Sequence, residues 1–426
     1  MTTPPPRHEF SDAAVAFVGS ARLAHAITVA SIGMAFLAFT VRSTMGWAGL
    51  IAVLVALVVF AALSITVKRH ELEWRGLLPL SLLFFVGWST LSMLWSGYQW
   101  ITLASVLYQA AFAFLGIYIA LTRDLIQIVR AVGDVLRVVL GVSILLEVLS
   151  GIILDIPFVF LRIAGNIAYG GPIQGILGTR NQLGLVALIA LVTFFVELHT
   201  RSIPRRLAVP SIVLASVTIL FTRSPVTAGA FIIVALTAAV LIGLRRLDAA
   251  TRRVWQFVLL GGVTVSLAVL FAARGRVIDL LNAGSEFEFR ASLWRDILTM
   301  VDTNPLEGFG WVGYWRRDLA PFVGIDRFVA PHDSALNALL DVWLQLGLVG
   351  MFSFVVVVAL TLVRSWLLAS KKRSPVFLWP ALVVIALVVT SAAESSILVE
   401  FGWLVFVIST VKASQNLSWR SRLAER

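Results

Sequence analysis

The side chains best suited to chemistry in this sequence are three arginines and one histidine. Arg180, Arg223 and Arg290 each carry a planar guanidinium, which binds phosphate or carboxylate oxygens through two parallel hydrogen bonds. His332 carries an imidazole, whose neutral form accepts a proton near neutral pH. These residue types offer an oxyanion site and a general base, provided that the fold brings them together.

The sequence lacks the residue patterns of several other kinds of site. It contains no cysteine, which excludes disulfides, thiolate nucleophiles and cysteine metal sites. Clusters of metal ligands, Ser-His-Asp patterns and phosphate-cradling Walker loops are also absent from it. We therefore expect neither a metal ion nor a cofactor at the site.

The composition predicts that lipid surrounds most of the chain. Of 426 residues, 59% are hydrophobic and 13% are charged, and the mean hydropathy is +0.94. Soluble domains are about half apolar and about a quarter charged. Apolar runs of about 17 to 25 residues cross a bilayer as helices, which satisfy their own backbone hydrogen bonds. The predicted fold class is an all-α polytopic membrane protein, with residues 1–426 in a single membrane domain.

About twelve apolar segments are predicted to be transmembrane helices. They lie at about 24–41, 46–66, 77–95, 100–121, 131–153, 181–197, 207–221, 226–243, 254–272, 337–363, 376–393 and 397–411. With the N-terminus in the cytoplasm, the inner segments hold about twice as many basic residues as the outer ones, including every lysine. This asymmetry explains the net charge of +11 without a nucleic acid partner. We predict a multi-pass plasma membrane protein with both termini cytoplasmic.

One large extracytoplasmic loop, at about 273–336, departs from this charge distribution. It holds seven arginines and no lysine. Long loops cross the membrane regardless of their charge, and GC-rich codons favour arginine, so the excess has explanations that involve no function. The alternative is that arginine without lysine marks a site for a phosphate or a carboxylate.

The same loop is expected to carry a short interfacial helix. Phe289, Leu293, Ile297 and Met300 recur at helical spacing, and a proline-containing turn follows them. A second outer segment, at about 154–180, is rich in glycine. We expect this second segment to be irregular.

His332 is the histidine that the predicted topology places on the outer side. It directly precedes the tenth predicted span, where Asp333 or Ser334 can cap the helix. The positive end of the helix dipole disfavours the imidazolium and so favours a ring that can accept a proton, whereas Asp333 acts in the opposite direction. A simpler explanation is that these polar residues only form the start of a helix.

Two of the arginines also have alternative explanations. Arg223 lies in a very short outer turn, where it either extends toward lipid headgroups or faces a cavity and binds an anion. Arg180 has the same two alternatives, although Asn181 and Gln182 beside it argue against a position that faces lipid.

Charged residues also fall within the predicted spans, among them Arg137, Glu147, Asp341 and Glu400. Charged groups there usually face the protein interior, and Arg137 is expected to pair with Glu147, Asp341 or Glu400. Their role is either structural or linked to proton movement, and the sequence does not decide between the two.

Several short segments occur in the order found in a known family. They are Gly-Thr-Arg-Asn-Gln-Leu-Gly at 178–184, Arg-Ser at 223–224, Arg290 with Leu293-Trp294, Asn-Pro-Leu-Glu-Gly-Phe-Gly at 304–310, His-Asp-Ser at 332–334 and Gly-Leu-Val-Gly at 347–350. In this order they resemble the O-antigen ligase and polysaccharide polymerase family, membrane glycosyltransferases of the C superfamily. The family-like catalytic region covers 178–350.

The last of these segments differs in spacing from the family pattern. In the family, nine residues separate His-Asn or His-Ser from Gly-x-x-Gly, whereas thirteen residues separate Asp333 from Gly347 in this chain. The four extra residues correspond to about one helical turn, which would keep His332 on the same helix face but farther outward. An ungapped register instead places Leu336 and Asn337 at the His-Asn positions.

The resemblance implies metal-independent glycosyl transfer at the outer face of the plasma membrane. A glycan would move from a polyprenyl-diphosphate donor to the hydroxyl of a glycan, lipid or wall-polymer acceptor. Arg180, Arg223 and Arg290 would bind the departing diphosphate. His332 would act as general base in a single displacement that inverts the anomeric carbon.

Asn181, Asp333 and Trp294 stand beside these residues and would support them. The sequence leaves open whether the activity is that of a ligase or of a polymerase. A chain with about twelve spans also has the plan of a secondary transporter, although the large loop does not separate two six-span halves. A non-catalytic protein of cell-envelope assembly is the third alternative.

Overall fold

The computed structural model of the protein describes residues 15–69, 79–273, 275–276, 284–325 and 333–415. The regular elements in these ranges are helices, together with one isolated bridge between Phe158 and Ile163. The all-α prediction is therefore confirmed for the described part of the chain. His332, the predicted general base, lies outside the described residues, as do parts of the predicted loop 273–336.

The helices follow one another along the chain with mostly short connections. Some begin at residues suited to a helix start, such as Thr179 and Ser224, whose side chains each accept a hydrogen bond from a backbone N–H of the first turn. The helices are α1 (Ala21–Phe36), α2 (Ala38–Lys68), α3 (Leu80–Leu91), α4 (Gln99–Thr122), α5 (Leu125–Val148), α6 (Arg180–Thr200), α7 (Arg205–Thr222), α8 (Pro225–Leu244), α9 (Ala249–Ala272), α10 (Gly284–Val301), α11 (Phe322–Ile325), α12 (Ala338–Lys371), α13 (Leu378–Thr390) and α14 (Glu400–Gln415).

Seven helices of the described part are long and apolar enough to cross a membrane. They are α2, α4, α5 with its continuation to Ile153, α6, α7, α8 and α12. α1, α3 and α13 are apolar but shorter. These helices are those of a polytopic membrane protein, and the number of about twelve spans stays a prediction.

A glycine kink in α12 brings together two of the segments that resemble the family. Gly347 has a φ of 66° and a ψ of −169°, a conformation that residues with a side chain rarely adopt. A Cβ at this position would overlap the carbonyl oxygen of Leu306, so glycine is required for the close approach. Leu348 N, just after the kink, donates to Pro305 O at 2.9 Å. The turn that follows α10 is thereby fixed against α12.

α10 is the helix that the apolar spacing in the large loop predicts. Its residues Leu293, Ile297 and Val301 are buried in a cluster with Val312 and Trp315. Burying an aliphatic side chain of this size contributes about 1.5 to 3 kcal/mol. The apolar stripe of α10 therefore packs on the protein itself, and contact of this helix with the membrane surface stays a prediction.

The start of α12 differs from the expectation. The N-cap is Asn337, whose side chain accepts hydrogen bonds from two N–H groups of the first turn. The prediction that Asp333 or Ser334 caps this helix is wrong, because both residues lie too far before Ala338, its first residue. Leu336 has a φ of 49°, so the chain between Asp333 and the helix is not helical. The four extra residues before Gly347 therefore do not add one turn to α12.

Arg137 is partly buried in the helix array, with a partner other than the ones expected. It donates to Asp134, one turn earlier on α5, at 2.9 Å and to Glu197 on α6. Gly133 allows this approach, since a Cβ there would lie 2.5 Å from the Glu197 carboxylate. Pairing with Glu147, Asp341 or Glu400 is thus wrong, because the packing of α5 against α6 supplies a nearer acid.

Two of the acids in the predicted spans hold neighbouring irregular segments in place. Glu147 accepts hydrogen bonds from Gln174 N at 2.8 Å and Gly175 N at 2.9 Å, in the glycine-rich segment before α6. Asp341 accepts a hydrogen bond from Trp315 Nε1 at 2.8 Å. Both acids are buried, as expected, and these contacts give them a structural role.

Candidate functional site

The first turn of α6 contains a polar network that joins three of the predicted segments. Asn181 Nδ2 donates a hydrogen bond to Glu394 Oε1 at 2.5 Å, and Ser224 Oγ donates to Asn181 Oδ1 at 2.7 Å. Arg290 Nη2 lies 3.4 Å from the same oxygen of Glu394. Asn181 and Glu394 therefore connect α6 with the start of α8 and with α10.

Arg290 is held in a buried position close to Arg180. Arg290 is 7% exposed, and its Nε donates a hydrogen bond to Ala393 O at 3.3 Å. Glu394, which Arg290 contacts, also accepts the hydrogen bond of Asn181, the residue next to Arg180. The like charges of Arg180 and Arg290 therefore lie in the same part of the site and disfavour each other. An oxyanion that bound to both would relieve this repulsion and form charge-assisted hydrogen bonds. The structure thus brings together two of the three predicted arginines.

Glu394 is a site residue that the sequence analysis did not identify. It lies in the segment 391–399 between α13 and α14. Burial raises the pKa of its carboxyl above the ordinary value, while the Asn181 hydrogen bond and the charge of Arg290 act more weakly in the opposite direction. The sequence signal that could have identified Glu394 is its position as an acid in a short turn between two predicted spans.

Arg223 lies beside this network, at a separate hollow. It has a φ of 46° at the end of α7, and its side chain is exposed. Its Nη2 lies close to Gly170, at 2.8 Å from the point that a Cβ there would occupy. The hollow has a volume of about 520 Å³ and is lined mainly by apolar residues of α6, α7 and α8. The hydrogen bond to Asn181 comes from the neighbouring Ser224.

A larger cavity, of about 990 Å³, adjoins the start of α6. It is lined by residues of α2, α4 and α14 and by the segments 159–162 and 311–316. Thr179 and Gln182, which flank Arg180 and Asn181, also line this cavity. Its volume is at the upper end of the range for small-ligand sites, about 300 to 1000 Å³. The cavity and the network share the first turn of α6.

Arg42 and Glu400 form a charged wall of this cavity. Arg42 Nη1 lies 3.1 Å from Glu400 Oε1, and Tyr108 Oη donates to the same oxygen at 2.9 Å. The Arg42 guanidinium also lies 4.9 Å from the ring centroid of Trp47 and 4.8 Å from that of Tyr314. Burial raises the pKa of Tyr314, and the charge of Glu400 adds to this effect. The wall therefore combines an ion pair, phenol groups and aromatic rings.

The segment that follows His332 connects the cavity with the network. Asp333 lines the cavity, and its charge acts on Glu394. Trp315 N donates to Asp333 O at 2.8 Å, and Trp294 Nε1 donates to Ala335 O at 3.0 Å. Two of the predicted supporting residues are thus placed near His332. Asp333 begins the segment that follows His332, and Trp294 holds this segment by its hydrogen bond to Ala335 O.

The part of the chain that carries Arg223, α10 and this segment matches a known family. Residues 210–355 match the family model described as O-antigen ligase. Residues 210–355 are called the O-antigen ligase domain below, after this match. The match supports assignment of the protein to the O-antigen ligase and polymerase family. Comparison with curated proteins found no match.

Part of the site lies outside the O-antigen ligase domain. Arg180 and Asn181 precede its matched range, and Glu394 and Glu400 follow it. The cavity adds Arg42, which the sequence analysis did not identify as a site residue. In the predicted topology Arg42 is an arginine in a short outer segment, where the charge rule does not favour basic residues, and this signal could have identified it.

Proposed function

We propose that the protein is a membrane glycosyltransferase that moves a glycan from a polyprenyl-diphosphate donor to an acceptor hydroxyl at the outer face of the plasma membrane. The O-antigen ligase domain supports this class of activity. The observation that carries the proposal is that Glu394 joins Arg290 to Asn181, the neighbour of Arg180, beside a large cavity. A diphosphate leaving group gains charge as the glycosidic bond breaks, so it needs cationic hydrogen-bond donors of this kind.

In this proposal the diphosphate binds at Arg180 and Arg290. Arg290 Nη2 lies 3.4 Å from Glu394 Oε1, and in this proposal a phosphate oxygen forms a shorter, charge-assisted hydrogen bond with the same guanidinium. The N-terminus of α6 adds backbone N–H groups and the positive end of a helix dipole. Arg223, exposed next to Ser224, contributes from the side of the apolar hollow.

The proposed reaction is a single displacement. The acceptor oxygen forms a bond to the anomeric carbon, and the bond between that carbon and the phosphate oxygen breaks, so the diphosphate leaves with the bonding electrons. His332 accepts the proton of the acceptor hydroxyl as general base. The arginines supply the charge that a metal ion supplies in other phosphate sites, and the reaction is proposed as metal-independent.

We further propose that both termini are cytoplasmic and that the site faces outward. Lys68 and Lys371, at the ends of α2 and α12, then lie on the cytoplasmic side, as the positive-inside rule requires. The cavity is lined by helix ends, including Glu400 at the start of α14. Transporters of the two-halves type bind their substrates near the midplane of the membrane, so this position favours an enzyme.

The diphosphate role is tested by replacing Arg290 with lysine. The Arg290→Lys variant keeps the charge and loses the planar fork, so transfer in isolated membranes should fall about tenfold or more, since hydrogen bonds to charged groups contribute about 1.5 to 3 kcal/mol. Arg295→Lys is the matched control, because Arg295 is exposed on the same helix. Transfer of the labelled lipid-linked glycan at wild-type rate by Arg180→Lys and Arg290→Lys would refute the diphosphate role.

A further inference from the structure

Two loops at one end of the helix array are bound to each other. One loop joins α8 to α9, and the other joins α12 to α13. Arg245 Nη2, in the first loop, donates to Lys372 O at 3.0 Å and also to Arg373 O. Arg252 Nη1, in the first turn of α9, donates to Ser370 O at 3.3 Å. The start of α9 is therefore fixed against the end of α12.

These loops and the adjoining helix turns carry a basic cluster of seven residues with one acid. The basic cluster consists of Arg245, Arg246, Arg252, Arg253, Lys371, Lys372 and Arg373. The acid, Asp248, caps α9 and accepts hydrogen bonds from Ala250 N at 3.0 Å and Thr251 N at 3.1 Å. None of the seven basic residues forms an ion pair with a residue that the structure describes. The excess of positive charge therefore favours an anion between the two loops.

α9 contacts the rest of the protein mainly beside the basic cluster. Arg252, Gln256 and Leu259 lie on one face of α9 and are half-buried. Gln256 Nε2 donates to Ser370 Oγ at 3.2 Å. In the range 260–272, by contrast, the described side chains are exposed. α9 therefore packs on the protein through its first two turns and stands apart from it farther along.

α12 shows the same separation from the opposite side. Ser370, Val363 and Val356 are spaced by two helical turns each, so they lie on one face of α12. Ser370, which α9 covers, is 1% exposed, whereas Val363 and Val356 are 56% and 48% exposed. A gap between α9 and α12 is therefore closed at Ser370 and open farther along, and both of its walls are apolar.

A membrane lipid with an anionic headgroup fits both parts of this arrangement. Its acyl chains would cover the apolar walls, and its phosphate would meet the basic cluster at the closed end. Trp255, exposed in the first turns of α9, is a residue type that favours the depth of the headgroups. A soluble anion would leave the walls uncovered, and a zwitterionic lipid would leave the excess charge in place. The positive-inside rule explains basic residues in either loop, but it does not explain a gap between apolar faces that ends at them.

We propose that the gap between α9 and α12 binds an anionic phospholipid of the surrounding membrane, with its phosphate at the basic cluster. α8 begins next to Ser224, in the arginine network, and ends next to Arg245, in the basic cluster. The lipid site and the arginine network therefore lie at opposite ends of α8. Occupancy of the lipid site does not depend on glycosyl transfer.

Native mass spectrometry of the purified protein tests this site. The protein is held in a neutral detergent with equal amounts of phosphatidylglycerol and phosphatidylcholine that have the same acyl chains. The wild type should retain phosphatidylglycerol in preference. Retention should fall about tenfold or more in the double variant Arg253→Gln, Lys372→Gln, because each basic group near a headgroup strengthens its binding. The matched control is Arg205→Gln, Arg206→Gln, which removes two exposed charges at the start of α7.

A second variant tests the gap without removing charge, in case the double variant does not fold. Val363→Trp fills the gap with a larger side chain and should also lower the retention of phosphatidylglycerol. Leu236→Trp, at an exposed position of α8, is its control and should retain the lipid as the wild type does.

Three results would overturn the lipid site. The first is equal retention of the two lipids by the wild type. The second is a loss in the Arg205→Gln, Arg206→Gln control as large as that in the cluster variant, or wild-type retention by Val363→Trp. The third is displacement of the lipid by inorganic phosphate but not by chloride of equal ionic strength, because the basic cluster would then be a site for a free anion.

Discussion

Asn181 and Glu394, which are 213 positions apart in the sequence, are joined by a hydrogen bond of 2.5 Å. Asn181 precedes the O-antigen ligase domain and Glu394 follows it, while Arg290, the residue that also contacts Glu394, lies inside it. The contact therefore completes a site whose parts come from three regions of the chain. Because Glu394 contacts Arg290 from outside the domain and is itself held by Asn181, the arginine is positioned before any substrate binds.

The stability of the protein should depend on pH through Glu394. Burial raises the pKa of this carboxyl, so the folded protein keeps its proton to a higher pH than the unfolded chain does. The stabilisation is fully present below the ordinary glutamate pKa of about 4.3 and is lost as pH rises through the raised value. The wild type should therefore lose stability as pH rises, whereas glutamine does not titrate. In detergent, the Tm of Glu394→Gln minus that of the wild type should increase from about pH 4 to about pH 8.

Asp318 offers a contrast of opposite sign for this measurement. The hydrogen bond from Arg316 lowers the pKa of the exposed Asp318 carboxyl. The Tm of Asp318→Asn should therefore fall slightly relative to that of the wild type over the same rise in pH. A Tm difference for Glu394→Gln that stays constant with pH would contradict burial as the source of the effect.

His332→Ala and Asn337→Ala should separate catalysis from capping. Removal of a general base lowers the rate by about 10² to 10⁴, so His332→Ala should lose glycan transfer while donor binding is retained. Asn337 caps α12, and loss of a cap costs about 1 kcal/mol, so Asn337→Ala should lower Tm with little loss of transfer. If His332→Ala transfers glycan normally while Asn337→Ala folds but is inactive, His332 is not the general base. The ungapped register, with Leu336 and Asn337 at the His-Asn positions, would then be correct.

Gly347→Ala should damage both stability and activity. The positive φ and the overlap of a Cβ with Leu306 O cost about 1 to 3 kcal/mol, and the turn that leads to the cavity wall must move. Gly229→Ala is the control, because Gly229 lies inside α8 with open space around it and should be neutral or stabilising by up to about 1 kcal/mol. Equal Tm values for the two variants would show that the kink tolerates a side chain.

The topology can be tested with single cysteines, because the chain contains none. Thr299→Cys on α10 and Ser374→Cys between α12 and α13 are both at exposed positions. An impermeant thiol reagent should label Thr299→Cys in intact cells and should reach Ser374→Cys only after the cells are opened. Labelling of Ser374→Cys in intact cells would reverse the proposed orientation.

The sequence by itself determined the features that depend on local composition. A helix in lipid needs about twenty apolar residues in one run, so the long apolar helices could be predicted without knowledge of their neighbours. The spacing of Leu293 and Ile297 likewise predicted α10, because the 3.6-residue period is a property of one segment. Arg180 and Arg290 were found by residue type and by their place in short family-like segments.

Only the tertiary structure decided which of these groups meet. Glu394 and Arg42 carry no local signal of their partners, since Arg42 and Glu400 are 358 positions apart and contact each other through the packing of three helices. The cap of α12 was misplaced for a related reason, because the start of that helix depends on how the chain before it folds against the segment 391–399. A contact between distant segments is set by how whole helices pack, and no short stretch of one sequence contains that information.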